Sequence, residues 1–302
     1  MDQHDTEWTS VITNNTQRKS KECHVPSPSL SIVTPSYNQL GFLKACIASI
    51  EIQAYPEVEH LVLDGGSQDG TAQFLEDHPD RVTWWRSHPD RGQSHALNEG
   101  FSRATGDWIG WQNSDDFYFP GAFWILAHCV EQHPEVGVVV GDAAIADEYG
   151  VMKHLIGVSP VPPRIWLHGY WPYNQAVFIR RDVLEKAGPI DESLHIHMDT
   201  DLLARIALLE PRVAYINHPL GAFRKYAGTK TESAEQIGRI RLEREILEAR
   251  YGRKLWPLPG FDWQRHRITH HAWTFRTWGF SALIGRLGQR ISRRMVEHIA
   301  IR

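Results

Sequence analysis

Two adjacent carboxylates, Asp115 and Asp116, have the chemistry that a hard divalent cation requires. Mg²⁺ and Mn²⁺ prefer oxygen ligands, and proteins commonly hold them through one or two carboxylates while substrate phosphates complete the coordination. The pair closes the polar segment 113–116, which follows an apolar run. We therefore predict a Mg²⁺ or Mn²⁺ site at Asp115 and Asp116. The alternative is an Asx turn after a strand, in which such side chains bond to nearby backbone.

Asp199 has the chemistry of a general base. A hydroxyl group is a poor nucleophile, and a positioned carboxylate that takes its proton in the transition state activates it. Asp199 opens a segment with helical apolar spacing and is followed by a second acidic residue, Asp201. Acidic residues at a helix start are also explained by capping and by the helix dipole. Asp199 is therefore a candidate for the catalytic base, with capping as the alternative, and Asp201 is a candidate for a cap or an orienting partner.

The rest of the chain predicts the elements that must position these carboxylates. Short apolar runs predict strands at residues 30–35, 58–63, 82–85, 107–112, 136–141 and 176–179. Helical spacing predicts one helix that begins near residue 40 and further helices at 71–78, 92–104, 120–132, 199–209 and 233–250. Alternating strands and helices favour a parallel sheet, which binds ligands beyond the carboxyl ends of its strands.

Composition narrows the class of protein. The 302 residues are 42% hydrophobic and 23% charged, which is typical of a globular chain. The formal net charge of -4 provides no general basic field, so binding to nucleic acid is not expected. Three widely separated cysteines favour a reducing compartment. No run of about 18 apolar residues is present, so a membrane-spanning helix is not expected.

Four polar clusters together carry a resemblance to a known family. They read Thr-Pro-Ser-Tyr-Asn at 34–38, Asp-Gly-Gly-Ser-Gln-Asp-Gly-Thr at 64–71, Asp-Arg-Gly-Gln-Ser at 90–94 with Asn98, and Asn-Ser-Asp-Asp at 113–116. In order and spacing they resemble family 2 glycosyltransferases of the GT-A fold, over roughly residues 30–230. The fourth cluster is similar to a subgroup variant of the Asp-x-Asp motif of that family.

This resemblance implies an α/β fold, a mostly parallel GT-A sheet flanked by helices with a helical C-terminal extension. It implies a transferase that moves a sugar from a nucleotide diphosphate sugar to the hydroxyl of a glycan or lipid-linked acceptor. Inversion at the anomeric carbon is the family precedent, and polysaccharide or O-antigen synthesis is a common context. The nucleotide-binding residues implied are Thr34, Pro35, Tyr37, Asn38, Asp64, Gly92, Ser94, Asn98, Asn113, Ser114 and Asp115. Gln175, Arg224 and Lys230 are implied as diphosphate or acceptor contacts.

Three positions depart from frequent residues of the family and support a second hypothesis. Asn113 replaces the first acidic residue of the Asp-x-Asp motif, and Tyr226 stands where a His is often found. Residues 198–202 resemble a Glu-Asp-x-Asp-Leu segment of the family that implies Asp199 as the base, and Met198 replaces its Glu. A catalytically inactive sugar- or nucleotide-binding module is the resulting alternative. A dinucleotide oxidoreductase is a third class, but the Gly-x-Gly-x-x-Gly turn that it needs after the first strand is missing.

We expect a flexible leader at 1–29, a catalytic domain at 30–231 and a helical extension at 232–302. Within the catalytic domain, residues 30–142 form the nucleotide-sugar half and residues 143–231 the acceptor half. From residue 261 onward the chain has eight Arg and no Lys against one Asp and one Glu. This basic segment is expected to pack on the protein or a second subunit, or to lie on an anionic membrane. The expected location is the cytoplasm, and the alternative is peripheral attachment to the inner face of the membrane.

Overall fold

A computed structural model describes residues 27–158, 160–169, 171–227, 229 and 234–252 of the protein. Its first half alternates four strands with three helices. The strands are β1 (Leu30–Ser36), β2 (Val58–Asp64), β3 (Trp84–Ser87) and β4 (Trp108–Trp111). The helices are α1 (Leu40–Glu51), α2 (Thr71–Asp77) and α3 (Gln93–Arg103). All pairs in the order β3-β2-β1-β4 are parallel, so the loops after these strands meet at one edge.

Close packing brings α3 onto the sheet at a glycine. A Cβ atom at Gly100 would lie 2.3 Å from a methyl carbon of Val33 on β1 and 2.9 Å from one of Leu63 on β2. Any larger side chain would therefore push α3 away from the strands. Because the polar loop before α3 belongs to the ligand edge, this contact sets the distance between that loop and the strand ends.

In the part of the second half that the structure describes there are five strands and four α-helices. The strands are β5 (Phe117–Tyr118), β6 (Val138–Ala146), β7 (Met152–Ile156), β8 (Val177–Arg180) and β9 (Val213–Arg224). The helices are α4 (Ala122–Gln132), α5 (Arg181–Ala187), α6 (Met198–Leu208) and α7 (Ala234–Tyr251). β8 pairs antiparallel with both β4 and β6, β9 runs parallel to β6, and β5 and β7 lie antiparallel to β9 and β6. The result is a mixed sheet of nine strands.

The predicted α/β class is confirmed, with parallel pairing throughout the first half and mixed pairing in the second. Strand β9 was not predicted, although it is the longest strand described. Its sequence has no alternation of apolar and polar residues, and Pro219 lies where the register with β6 shifts. Proline cannot donate to a strand ladder, so such a segment is not recognised as a strand from its sequence. β3 begins two residues later than expected.

Apolar side chains fill both faces of the sheet. Ile32 and Phe178 lie in the cluster on one face, while Val33 and Trp166 lie in the cluster on the other. Within the described residues, no helix is both long enough and apolar enough to cross a membrane. The predictions for the leader up to residue 26 and for the basic segment from residue 261 concern parts of the chain outside the described residues.

Candidate active site

A cleft of about 760 Å³ opens at the carboxyl ends of the parallel strands. Its volume lies in the range of pockets that bind small molecules and cofactors. The residues that line it come from each of the four polar clusters and from the segment after β9. They are Pro35, Ser36, Tyr37, Gln39, Gly65, Gly66, Gln68, Pro89, Asp90, Gly92, Gln93, Ala96, Asn113, Ser114, Asp115, Phe223, Tyr226 and Thr229.

The end of β1 and the loop after it place some predicted ligand contacts in the cleft and others in the core. Pro35 and Tyr37 line the cleft, and Tyr37 is 63% exposed. Thr34 is fully buried instead, and its hydroxyl is 2.9 Å from Nε2 of His60. Strand alternation turns the Thr34 side chain toward the core, and its contact with a nucleotide stays a prediction.

Asn38 and Asp64 organise the loops rather than line the cleft. The side-chain oxygen of Asn38 accepts a hydrogen bond from the backbone N–H of Gln68 at 2.9 Å. Asp64 is fully buried and accepts bonds from the backbone N–H of Ser67 at 2.9 Å and the hydroxyl of Ser87 at 2.6 Å. Both side chains thus hold the loops that border the cleft, and their nucleotide-binding roles stay predictions.

Arg86 on β3 is a buried connection that sequence reasoning missed. Its guanidinium donates to the carboxylates of Glu99 and Asp90, both at 3.0 Å. It also donates to the backbone carbonyls of Asp64 at 2.6 Å and His88 at 3.2 Å. One side chain thus joins the loop after β2 to Asp90 in the cleft wall. An arginine inside a strand gives no sequence signal that separates this role from a surface position.

Helix α3, which begins within the third cluster, directs two polar side chains to the segment before α6. Gly92 lines the cleft as expected. The Ser94 hydroxyl donates to the carbonyl of Leu194 at 3.0 Å, and the Asn98 amide nitrogen donates to the carbonyl of Ile190 at 2.9 Å. Helix α3 therefore turns these side chains toward the segment before α6, and their nucleotide contacts stay predictions.

Asn113 and Ser114 line the cleft and are held there by neighbouring side chains. The Asn113 side-chain oxygen accepts bonds from the indole N–H of Trp111 and the amide of Gln93, both at 2.7 Å. Ser114 donates to the side-chain oxygen of Gln39. Gln39 was not predicted, because the residue before a helix has no distinctive sequence pattern. It ties the first loop to the 113–116 segment.

Asp115 and Asp116 point in different directions. Asp115 lines the cleft, and its Oδ2 accepts bonds from the phenol of Tyr226 at 3.0 Å and the amide of Gln39 at 3.4 Å. Asp116 is fully buried and accepts bonds from Asn113 at 3.0 Å, Gln175 at 2.7 Å and the backbone N–H of residue 224 at 2.8 Å. Burial raises the pKa of both carboxyls, and the charge of Asp115 further raises the pKa of Asp116.

The two carboxylates, which we predict to hold the metal, differ in their access to the cleft, and the metal role of Asp116 stays a prediction. Both oxygens of Asp116 are bound by protein donors below the cleft, so Asp116 positions the loop, and Asp115 is the carboxylate in reach of a ligand. Within the described ranges, no group of three or more His, Cys, Asp or Glu side chains forms a metal site. The residues present fit a hard cation that Asp115 shares with diphosphate oxygens, because a cation offsets the cost of burying this charge.

Gln175 and Arg224, whose contacts with a diphosphate or acceptor stay predictions, bind protein groups in the structure. Both side chains are buried. The Arg224 guanidinium donates to the carbonyl of Asp115 at 2.7 Å and lies 4.8 Å from the ring centre of Phe117. Gln175 donates to Asp116, so both residues support the 113–116 loop from beneath. Lys230 lies outside the described residues.

Asp199 is partly buried and lines a small, mainly apolar pocket with Trp111 and Asn174. Its Oδ1 accepts a bond from the backbone N–H of Thr200 at 2.6 Å, and burial raises the pKa of its carboxyl. Trp111 also donates to Asn113 of the cleft, so one indole borders both places. Asp201 is fully buried and bonds to Arg205 at 3.0 Å, so it is an anchor of α6 rather than a simple cap.

The mixed α/β sheet with its cleft at the strand ends is a GT-A fold. The chain belongs to glycosyl transferase family 2, whose family model matches residues 31–186. The expected enzyme class is thereby confirmed. Of the residues implied by the family resemblance, Pro35, Tyr37, Gly92, Asn113, Ser114 and Asp115 line the cleft.

Of three similar proteins, two are glycosyltransferases by name and the third is an O-antigen biosynthesis protein. An uncharacterized glycosyltransferase of Mycobacterium tuberculosis (strain ATCC 25618 / H37Rv) is 30% identical over 192 residues, which cover 61% of this chain and 70% of that protein. The putative glycosyltransferase EpsE of Bacillus subtilis is 31% identical over 146 residues, 47% of this chain and 52% of EpsE. The O-antigen biosynthesis protein RfbC of Myxococcus xanthus is 25% identical over 64% of this chain and 16% of RfbC.

Solved structures share the fold. S. aureus TarS 1-349 in complex with UDP-GlcNAc superposes with a TM-score of 0.57 at 19% identity, covering 73% of this chain and 66% of that chain. The mannosyltransferase PcManGT of Pyrobaculum calidifontis, in complex with GDP-Man and Mn²⁺, has a TM-score of 0.53 at 19% identity, covering 98% and 87%. At these identities the likeness extends to the fold, and substrates are inferred separately.

Proposed function

We propose that this chain transfers a sugar from a nucleotide diphosphate sugar to an acceptor hydroxyl, with inversion at the anomeric carbon and with a divalent cation. The observation that carries the proposal is the carboxylate of Asp115, which lines a strand-end cleft of about 760 Å³. The glycine-containing loops at 65–66 and 92 border the same cleft, where backbone can approach a nucleotide closely. The neighbours with bound UDP-GlcNAc or GDP-Man support a nucleotide sugar as donor.

We assign the proton transfer to Asp199. The acceptor oxygen forms a bond to the anomeric carbon while its proton passes to the Asp199 carboxylate. The bond between that carbon and the diphosphate oxygen breaks on the opposite face, and its electron pair leaves with the diphosphate. When bound at Asp115, Mg²⁺ or Mn²⁺ would stabilise the negative charge of the leaving group. The pocket of Asp199 shares Trp111 with the surroundings of Asn113, which supports a base beside the donor cleft.

Titration calorimetry with UDP, GDP and dTDP, each with and without Mn²⁺, tests the donor site. We expect one nucleotide to bind in a Mn²⁺-dependent manner to the native protein. Asp115→Ala should lose that dependence, whereas Asp80→Ala, which removes an exposed aspartate, should retain it. Binding that ignores both Mn²⁺ and Asp115→Ala would contradict the metal role, and no binding of any nucleotide would contradict the donor site.

The inactive-module hypothesis predicts a different combination of results. A module would bind the nucleotide sugar and release no nucleoside diphosphate with any acceptor. Turnover that is lost in Asp199→Asn, with nucleotide binding retained, would exclude it and support the base. General base catalysis contributes about 10²–10⁴-fold, so the loss should fall in that range.

We further propose a glycan or lipid-linked acceptor in polysaccharide or O-antigen synthesis. The names of EpsE as a putative glycosyltransferase and of RfbC as an O-antigen biosynthesis protein support this context. A flotation assay with anionic vesicles, comparing the full chain with a truncation before residue 261, tests peripheral membrane contact. Flotation of the full chain and not of the truncation is the expected result for a membrane-bound acceptor, and equal flotation would contradict it.

A further inference from the structure

A buried glutamate on the last described helix binds the backbone just before α6. Glu243 on α7 is 2% exposed. Its two carboxylate oxygens accept hydrogen bonds from three successive backbone N–H groups, those of His195 at 2.8 Å, Ile196 at 2.7 Å and His197 at 2.9 Å. Glutamate is rarely buried without such partners. The orientation of three peptide units is thus set by one side chain from a distant part of the sequence.

The same face of α7 also contacts Asp191 and Asp201, on either side of residues 195–197. Arg250 donates to Asp191 at 2.6 Å and to Asp201 at 2.7 Å, and the Tyr251 hydroxyl donates to Asp201 at 2.7 Å. Leu247, one turn after Glu243, is fully buried. Residues three and four apart share a helix face, so Glu243, Leu247 and Arg250 lie on the same face of α7. α7 therefore contacts residues 191–201 before, at and after the start of α6.

Helix α3 holds this segment through a second set of contacts. Ser94 donates to the carbonyl of Leu194, and Asn98 both accepts from the N–H of Ile190 at 2.7 Å and donates to its carbonyl at 2.9 Å. The first residue of α3, Gln93, lines the donor cleft. Residues 190–201 are thereby fixed between an element of the donor cleft and the helix α7.

We infer that α7 positions the catalytic base, with Glu243 as a positioning residue that fixes residues 195–197 and so the place of Asp199 two residues later. This inference rests on the proposed role of Asp199. It extends the functional unit beyond residues 31–186, which the family model matches. A displacement of about 1 Å at a reacting group costs roughly 10²-fold in rate, so loosening this backbone should affect turnover more than donor binding.

The test is Glu243→Gln, which keeps the shape of the side chain and replaces one accepting oxygen by a donor that faces backbone N–H groups. We expect kcat for UDP-GlcNAc or GDP-Man, whichever the native chain turns over, to fall about 10- to 100-fold. The KM for that donor and the Kd for its nucleoside diphosphate with Mn²⁺ should change less than about twofold, because Glu243 does not line the donor cleft. Glu245→Gln, at an exposed position on the same helix, is the matched control and should behave as the native chain.

Amide hydrogen exchange provides a readout that needs no turnover. The N–H groups of residues 195–197 should exchange at least about tenfold faster in Glu243→Gln than in Glu245→Gln. If Glu243→Gln does not fold, Arg250→Lys replaces it, since lysine cannot span both Asp191 and Asp201; a kcat loss of about fivefold or more with unchanged nucleotide affinity is expected.

The outcomes separate this inference from the proposed function. A native chain that shows no transfer and no nucleotide binding defeats the proposed function. An active native chain with native kcat or native amide exchange in Glu243→Gln overturns the positioning role of α7. Parallel losses of kcat and nucleotide affinity would also overturn it, because they indicate general damage rather than displacement of the base.

Discussion

Replacement of Arg86 by methionine should destabilise the protein strongly and weaken its donor site. The guanidinium is 7% exposed and makes four hydrogen bonds, two to carboxylates and two to backbone carbonyls. Breaking a buried ion pair by removing one partner costs about 3–5 kcal/mol, because the remaining charge stays buried. We expect a loss of about 4 kcal/mol in the free energy of unfolding. Since typical stabilities are about 5–15 kcal/mol, the variant should still fold.

Equilibrium unfolding in urea measures this loss. Arg81→Met is the matched control, because Arg81 pairs with Glu51 at a more exposed position, 29% and 39% exposed, where ion pairs contribute about 0–1 kcal/mol. In the folded Arg86→Met protein, Asp90 and the carbonyl of Asp64 lose their common donor, so nucleoside diphosphate affinity should fall about tenfold or more. A destabilisation within 1 kcal/mol of that of Arg81→Met would refute this account of the loop.

Three further predictions concern pH and packing. Burial lowers the pKa of His60 to about 3, well below its value of about 6.5 in the unfolded chain. The neutral imidazole therefore contributes stability above about pH 6.5, and this contribution is lost as the pH falls toward 3. Between pH 7.5 and 5 this group should lower the free energy of unfolding of the native protein by about 2 kcal/mol, measured by urea unfolding. The loss should disappear in His60→Gln and persist in His133→Gln. Equal losses in all three proteins would contradict the prediction. Because burial raises the pKa of Asp199, the acid limb of kcat/KM should lie above that of an ordinary aspartate, and a limb at the ordinary value would argue against Asp199 as base. Gly221→Ala should lower Tm markedly, since the new Cβ would lie 1.9 Å from the backbone oxygen of Gln175. Gly41→Ala is the control and should be neutral or stabilising, because no atom lies within 4 Å of its new Cβ. Equal Tm values for the two variants would contradict the packing argument.

Prediction from the sequence succeeds where a side chain's environment is set by its neighbours in the chain. The strands and helices of the first half lie within a few residues of their predicted bounds, because apolar periodicity is a local property. Pro35, Tyr37 and Asp115 likewise lie at or just beyond strand ends and line the cleft. Parallel strands place their carboxyl ends at one edge, so chain order alone is enough to bring these residues together.

The buried polar residues show where that reasoning fails. Asp116, Gln175 and Arg224 are chemically suited to a metal or a diphosphate, yet they bind one another's groups beneath the cleft. β9 causes this arrangement, because it pairs with β5 and brings residue 224 under the 113–116 loop. Which of two adjacent carboxylates faces the ligand depends on this pairing, and the pairing joins segments about a hundred residues apart in the chain.

The sequence by itself determined the class of fold, the family, and the edge of the sheet at which the ligand site lies. These depend on local patterns and on the order of motifs along the chain. The tertiary structure decided which polar side chains remain available to a ligand. A hydrogen-bonding group can serve the fold or the ligand, and only the positions of distant partners such as Arg86, Glu243 and Arg224 settle which one it serves.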